Sequence, residues 1–265
     1  MNNVLAVAKN EFSILARSPV VLVFCVIVFV FALASAAGDS TLISSNNFSQ
    51  GYNLVAGVGY FFWNLSILFA FLTMCIGILS VADERQNGSF RVLLTKPLYR
   101  RDVITGKFIG IGAFLLLTIT FTLTLLVSLL MVVYVGQVSI TDLVLRMVSF
   151  VILLFLNSCF TLGLVMCLGL LFSKSEAIII SIAFIAFEWL TNIGSLPGAL
   201  GSLQLINPNY LYAYIICFTQ EQLFDTSSSS FGSWFNSMLP YIVLMVAEAI
   251  IIVLVSCMLF NREEA

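Results

Sequence analysis

Two carboxylates lie inside long apolar stretches of the sequence and are its best candidates for chemistry. Glu188 falls in the run IIISIAFIAFEWLTN and Glu248 in the run LMVAEAIIIVLV. A charged acid at the middle of a bilayer costs about 2.5 to 3.5 kcal/mol on insertion scales, so each side chain is expected to face protein or a water-filled cavity. Both are therefore candidate pathway or gating residues. The alternative is a protonated or hydrogen-bonded acid that only packs the interior.

The motifs that most enzyme and metal sites require are missing. The sequence contains no histidine, which excludes imidazole as a base, a metal ligand or a pH switch. Its six cysteines show no paired spacing for zinc or for a disulfide framework, and no Gly-x-Ser-x-Gly element occurs. The phosphate cradle G-x-x-x-x-G-K-[ST] is absent too, because Arg101 stands where the first glycine before Gly106-Lys107 should be. We therefore expect no catalytic residue, no metal site, no bound cofactor and no ATP hydrolysis in this chain.

The composition places the chain among integral membrane proteins. Of its 265 residues, 61% are hydrophobic and 9% are charged, against about 25% charged in an ordinary soluble domain. A β-barrel would need segments of about ten residues that alternate in polarity, whereas runs such as VVLVFCVIVFVFALA are apolar on every side. The sequence thus predicts an all-α integral membrane fold. With 11 basic and 13 acidic residues, it offers no electrostatic case for nucleic-acid binding.

The apolar stretches are long enough for six transmembrane helices within one domain covering residues 1–265. A helix crosses the hydrocarbon core with roughly 20 apolar residues. The predicted spans are Pro19 to Ala37, Tyr60 to Val81, Phe108 to Val135, Leu143 to Phe172, Ala177 to Ser195 and Leu239 to Phe260.

The distribution of lysine and arginine predicts the orientation. Ten of the eleven basic residues fall in the two terminal segments and the connections after spans two and four, and only Arg146 lies on the opposite side. Basic residues are retained on the cytoplasmic side of a membrane. We therefore expect a multi-pass protein of the plasma membrane, in contact with membrane lipid, with both termini in the cytoplasm.

Residues 1–18 are predicted to form an amphipathic helix that lies in the membrane interface. At 100° per residue one face collects the apolar side chains Val4, Leu5, Ala8, Phe12 and Leu15. Glu11 falls near this stripe, so a polar or basic partner is expected for it in the folded protein. A frayed polar tail is the alternative.

The predicted outer segment, residues 196–238, is long yet largely apolar. It includes the run LYAYIICF, which is not typical of a solvent-exposed loop. We interpret the segment as short re-entrant helices broken at Asn207-Pro208, because the residue before a proline disfavours a helix. The alternative is one more short span, which would place the C-terminus outside.

The predicted cytoplasmic connection, residues 82–107, reads ADERQNGSFRVLLTKPLYRRDVITGK. Asn87-Gly88 is a turn signal, and Phe90, Leu93 and Leu94 form the apolar face of a short helix that Pro97 ends. Its basic rim consists of Arg85, Arg91, Lys96, Arg100 and Arg101. An exposed apolar face of this kind usually meets a partner, although a rim that only binds anionic lipid is the alternative.

The same stretch resembles the signature of ABC transporter permeases of the type-2 exporter (ABC-2 type) class. It has an acidic-Arg pair, a glycine turn, a Leu-Leu helix, a proline and an Arg-Arg-acidic element before Gly-Lys. AVAKNEFSILARSP is similar to their amphipathic connecting helix and INPNYLY to their outer loop, so the likeness covers essentially the whole chain. Tyr99 departs from the pattern, which more often has a small capping residue there.

The resemblance implies a permease that forms the pathway of an exporter as a dimer, with itself or with a similar chain. Separate nucleotide-binding ATPase subunits would hold the ATP and magnesium and dock beneath it. The residues implied in the first coupling element are Glu84, Arg85, Gly88, Phe90, Leu93, Leu94 and Pro97. Those implied in a second, shorter contact are Ser173, Lys174 and Glu176, within the stretch from Ser173 to Glu176.

A secondary transporter driven by an ion gradient is the second hypothesis. Glu188 and Glu248 would then be proton or cation sites. Such transporters commonly show internal repeats and broken helices at mid-membrane, and neither is clear in this sequence. An intramembrane enzyme ranks third, and the sequence leaves the substrate open.

Overall fold

The computed structural model describes residues 2–45, 54–86, 100–133, 140–191, 204–218 and 231–262. These residues are helical apart from short turns, and no strand occurs among them, which confirms the all-α prediction. The helices are α1 (Asn2–Ala16), α2 (Pro19–Ser45), α3 (Leu54–Gln86), α4 (Arg100–Val133), α5 (Ile140–Leu171), α6 (Lys174–Thr191), α7 (Pro208–Ala213) and α8 (Phe231–Arg262). A π-helical turn, Tyr214–Phe218, continues α7.

Within the described residues, four helices are long and apolar enough to cross a membrane. Their stretches are Asn64–Ala82, Val103–Leu129, Leu143–Leu171 and Phe231–Leu259. A fifth crossing results if α1 and the start of α2, which are bent by 59° relative to each other, count as one broken span. Helix α6 has only 18 residues and three charged side chains, and it is not in this count. The chain is thus a multi-pass membrane protein, while the count of six spans stays a prediction.

The central helices pack at glycines. A Cβ atom added at Gly77 of α3 would lie 2.9 Å from Val165 Cγ1 of α5, and one at Gly169 of α5 would lie 3.4 Å from Ala82 Cβ of α3. Small residues let helix backbones approach closely inside a bilayer, where no hydrophobic force drives helices together. The second contact also brings the ends of α3 and α5 side by side.

Helix α8 packs chiefly against α5, along a narrow line of residues. A Cβ atom at Gly163 would lie 2.7 Å from Ile252 Cγ2. One turn further, Ser256 Oγ lies 3.0 Å from the carbonyl oxygen of Gly163 and 2.9 Å from Cys167 Sγ. Only 17% of the membrane-spanning stretch of α8 is buried, so most of its surface is left for lipid or for a further helix.

The segment around α7 is packed into the protein, which explains its apolar composition. Asn207 caps the helix, since its side-chain oxygen accepts from the backbone N–H groups of Asn209 (3.0 Å) and Tyr210 (3.4 Å), and Pro208 follows at the first helical position. The predicted break at Asn207-Pro208 is therefore present. The core includes four of the apolar side chains that follow, namely Leu211, Tyr212, Ile215 and Ile216. The depth of the segment in the bilayer stays a prediction.

Helix α1 lies directly on the first half of α4. A Cβ atom at Gly110 would come within 2.5 Å of the carbonyl oxygen of Ala8, and one at Gly106 within 2.8 Å of Val7 Cβ. Ala8 and Leu15 are buried in this contact, whereas Leu5, which shares the predicted apolar face, is 62% exposed. Part of the apolar face of α1 therefore packs against protein and part remains exposed, because the contact with α4 follows the positions of Gly106 and Gly110.

This packing predicts opposite outcomes for two Gly→Ala variants in the same helix. Gly110→Ala should lower the free energy of unfolding by roughly 1–3 kcal/mol, the usual cost of overpacking, because the new methyl group meets backbone atoms of α1. Gly112→Ala has 3.8 Å of clearance to Phe155 Cζ and should be neutral or stabilising by up to about 1 kcal/mol through helix propensity. Unfolding of both purified variants in detergent measures the difference. Equal effects would contradict the close approach of α1 and α4.

Candidate functional site: a coupling surface and two intramembrane carboxylates

A buried ion pair joins three helices near the predicted cytoplasmic surface. Lys107 Nζ of α4 lies 2.6 Å from Glu11 Oε1 of α1, and the two side chains are 1% and 8% exposed. Ser80 of α3 completes the group, because its hydroxyl accepts from Lys107 Nζ (3.2 Å) and donates to Glu11 Oε2 (3.3 Å). The expected basic partner of Glu11 is therefore Lys107. Removal of one member of such a pair leaves an uncompensated buried charge, which typically costs 3–5 kcal/mol.

The local sequence explains why Lys107 reaches α1. Lys107 follows Gly106 and lies three residues before Gly110, so all three residues project toward α1 from one face of α4. The missing side chains at the two glycines bring the helices close enough for a direct ion pair. Further along the same interface, the rings of Phe12 and Phe114 meet edge to face with centroids 5.8 Å apart.

The first predicted coupling element lies largely beyond the described residues. Glu84 and Arg85 belong to the last turn of α3, where the structure describes the backbone and not the side chains. The residues that lie outside the described part are Gly88, Phe90, Leu93, Leu94 and Pro97. The structure does describe both helices that flank this connection, α3 ending at Gln86 and α4 beginning at Arg100.

The second predicted contact, Ser173 to Glu176, is a short turn between α5 and α6. The backbone N–H of Ser173 donates to Glu176 Oε2 at 3.0 Å, and the carbonyl oxygen of Ser173 accepts from the N–H of Ala177 at 2.8 Å. This is half of a capping box, which fixes the start of α6. The backbone and side-chain hydrogen bonds from Ser173 hold the pKa of Glu176 below its usual value. An exposed, ionised carboxylate therefore lies beside Lys174 on this turn.

Two apolar residues that were predicted to belong to the fourth span are exposed directly before this turn. Leu171 is 50% exposed and Phe172 is 38% exposed, directly before Ser173. The only sign of this exposure in the sequence is that both residues end an apolar run, next to the polar stretch SKSE. The turn thus presents apolar and charged groups side by side.

Glu188 lies in α6 and Glu248 in α8, each within an apolar stretch of the sequence. Glu188 is 4% exposed, and its backbone carbonyl accepts from Asn207 Nδ2 at 3.3 Å, which ties α6 to the segment before α7. Glu248 is half-buried, and its Oε2 atom is buried without a hydrogen-bond partner among the described residues. Glu188 thus faces the protein interior, as expected, whereas a role for either residue in a pathway stays a prediction.

Arg146 is a buried polar residue that sequence reasoning treated only as a marker of topology. Its side chain is 1% exposed, in the second turn of α5. One turn later on the same face, Phe150 packs edge to face against Tyr212, with centroids 5.9 Å apart. No pattern in the sequence distinguishes this arginine from one at a membrane surface.

Comparison with known proteins accounts for nearly the whole chain. No curated protein matches it. Residues 5–265 match the family described as ABC-2 family transporter protein. This match extends from α1, through the connection between α3 and α4, to the C-terminal residue. The chain therefore belongs to the ABC-2 transporter family and is a membrane-embedded permease of an ABC transporter.

Proposed function

We propose that the chain is the permease subunit of an ABC exporter, that it forms the translocation pathway as a dimer, and that separate ATPase subunits drive it. The supporting observation is the match of residues 5–265 to the ABC-2 transporter family. Under this proposal the chain is not an enzyme and binds no cofactor. ATP and magnesium are held by the partner subunits.

The proposed ATPase-docking surface consists of the connection between α3 and α4 together with the turn Ser173 to Glu176. The packing of Gly169 against Ala82 supports it, because both residues lie near the ends of their helices and bring the points where the two connections begin side by side. One docked subunit could therefore contact both.

The chemistry of this surface suits a protein partner. Its first part contributes the apolar residues Phe90, Leu93 and Leu94 within a basic rim. Its second part adds exposed Leu171 and Phe172 beside the ionised Glu176. Burial of each apolar side chain in a partner's groove would stabilise the complex by roughly 1.5 to 3 kcal/mol. Binding of anionic lipid alone would not require apolar side chains at this surface.

A transporter driven by an ion gradient is the second candidate function. The observation in its favour is the presence of two carboxylates in apolar helices, since Glu188 is buried and the Oε2 atom of Glu248 is buried without a hydrogen-bond partner among the described residues. In an ABC permease the same pair would instead line or gate the pathway. Membership of the ABC-2 family favours the ATP-driven hypothesis, which the purification described below tests directly.

The proposed orientation places both termini and the docking surface in the cytoplasm. Single cysteines at Ser228 and Ser89, in a background without native cysteines, test it by labelling of whole cells with an impermeant maleimide. Ser228→Cys should react with the maleimide and Ser89→Cys should not. The basic residues of the connection between α3 and α4 are expected to retain that connection on the cytoplasmic side. The reverse pattern would overturn the orientation.

Glu188→Gln and Glu248→Gln should leave the protein folded and change ATP hydrolysis by the reconstituted complex, because each removes a titratable carboxyl group from the proposed pathway. A lipid-facing Glu248 would behave differently, since Glu248→Leu would then remove a cost of about 2.5 to 3.5 kcal/mol and raise stability. Glu263→Gln, beyond the described residues and outside the apolar stretches of the sequence, is the control. Unchanged expression, stability and hydrolysis in both Glu→Leu variants would exclude a functional role.

The double variant Phe90→Asp/Leu93→Asp should insert into the membrane yet lose its ATPase subunit during purification. Two buried apolar side chains at roughly 1.5 to 3 kcal/mol each correspond to a loss of affinity of more than a hundredfold. Copurification and ATP hydrolysis are the measurements. Neutralisation of the rim residues Arg91, Lys96, Arg100 and Arg101 is the matched comparison. If the rim only binds lipid, that set disturbs orientation and the double Asp variant is tolerated, which would contradict docking through the tip.

A further inference from the structure

We propose that Glu11, Ser80 and Lys107 are positioning residues that fasten α1 to the two helix ends from which the docking connection extends. Helix α1 and the cytoplasmic ends of α3 and α4 then move as one body during the transport cycle. This inference rests on the proposed function, because the motion is set off by the ATPase subunit. It assigns to α1 the task of passing that motion to α2.

The hydrogen bond between Lys107 and Ser80 lies at the base of the docking connection. Ser80 is within about two turns of the end of α3, and Lys107 is within about two turns of the start of α4. Their 3.2 Å contact therefore joins the two helices close to the points where the connection leaves and returns. A force applied to the connection acts on both helices together.

Glu11 attaches α1 to this base by a contact that resists sliding. The 2.6 Å ion pair with Lys107 is buried, so a shift that separated its members would leave an unpaired charge in the interior. The close approaches at Gly106 and Gly110 add a steric constraint, because the backbone of α1 fills the space above both glycines. A displacement of α4 by one residue along its axis, about 1.5 Å, would disrupt both contacts.

Helix α1 is in turn connected to α2 through an ordered bend. Backbone hydrogen bonds run from the N–H of Ser18 to the carbonyl of Leu15 (3.0 Å) and from the N–H of Val21 to the carbonyl of Ser18 (3.2 Å). The two helices meet at 59°. A rotation of α1 with α4 is therefore passed to α2, whose outward face includes the exposed side chains of Leu22 and Val26.

Spin labels test the shared motion without knowledge of the substrate. The complete chain is purified with its ATPase subunit in lipid nanodiscs, in a background without native cysteines. One label pair joins Asn10 of α1 to Leu117 of α4, and another joins Asn10 to Ile179 of α6; all three positions are exposed. Distance distributions are recorded without nucleotide and after trapping with ATP and vanadate.

In the unaltered chain the Asn10–Leu117 distance should be the same in both states, while the Asn10–Ile179 distance should shift. In Lys107→Met and in Glu11→Gln the first distribution should broaden and the nucleotide-dependent shift of the second should be lost. The exchanged pair Glu11→Lys/Lys107→Glu should restore both, because it re-forms the ion pair, whereas an effect that came only from lost side-chain packing at either position would persist. If Lys107→Met does not fold, Glu11→Gln and the exchanged pair provide the comparison.

Three results would overturn the inference. The Asn10–Leu117 distance could change with nucleotide in the unaltered chain, neither pair could change there, or both single variants could retain the full shift at Asn10–Ile179. Failure of the proposed function gives a different result, because no ATPase subunit would then copurify with the unaltered chain. Even in that case the nucleotide-free Asn10–Leu117 distribution tests the attachment of α1. A broader distribution in Lys107→Met than in the unaltered chain supports the attachment, and an unchanged width refutes it.

Discussion

The close approach of helix backbones at glycine is the constraint on which the rest of this structure depends. Lipid is as apolar as the side chains of the helices, so helices inside a bilayer associate through packing and hydrogen bonds. Gly77 and Gly169 join α3 to α5, Gly163 joins α5 to α8, and Gly106 and Gly110 join α1 to α4. The polar contacts between these helices exist because the backbones are already close.

The polar interior is arranged around these crossings. Ser256 reaches the carbonyl oxygen of Gly163 because no side chain intervenes, and Glu11 reaches Lys107 between Gly106 and Gly110. A buried charge requires a partner in a medium of low dielectric constant. The structure satisfies that requirement between elements distant in sequence, so the ion pair also specifies which helices are neighbours.

Much of the fold could be predicted from the sequence, because the bilayer imposes simple rules on length and polarity. The all-α class, the break at Asn207-Pro208 and the need of Glu11 for a partner follow from local residues. The identity of that partner could not be predicted, since Lys107 lies in a different helix and also suits a topological role. Arg146 and the exposed Leu171 were missed for the same reason: their environment depends on tertiary packing. Much of the first coupling element was predicted from sequence alone, and it lies outside the residues that the structure describes.

The distance in sequence between Glu11 and Lys107 has a consequence for biosynthesis. The two residues are 96 positions apart, so at a synthesis rate of about 5–20 residues per second Glu11 is made roughly 5 to 20 s before its partner. During this interval the carboxylate has to remain hydrated, because an unpaired charge is not tolerated in the hydrocarbon core. An amphipathic α1 can wait at the membrane surface, where Glu11, at the edge of the apolar stripe, stays within reach of water. Its final position on α4 becomes available only after the third predicted span has been inserted.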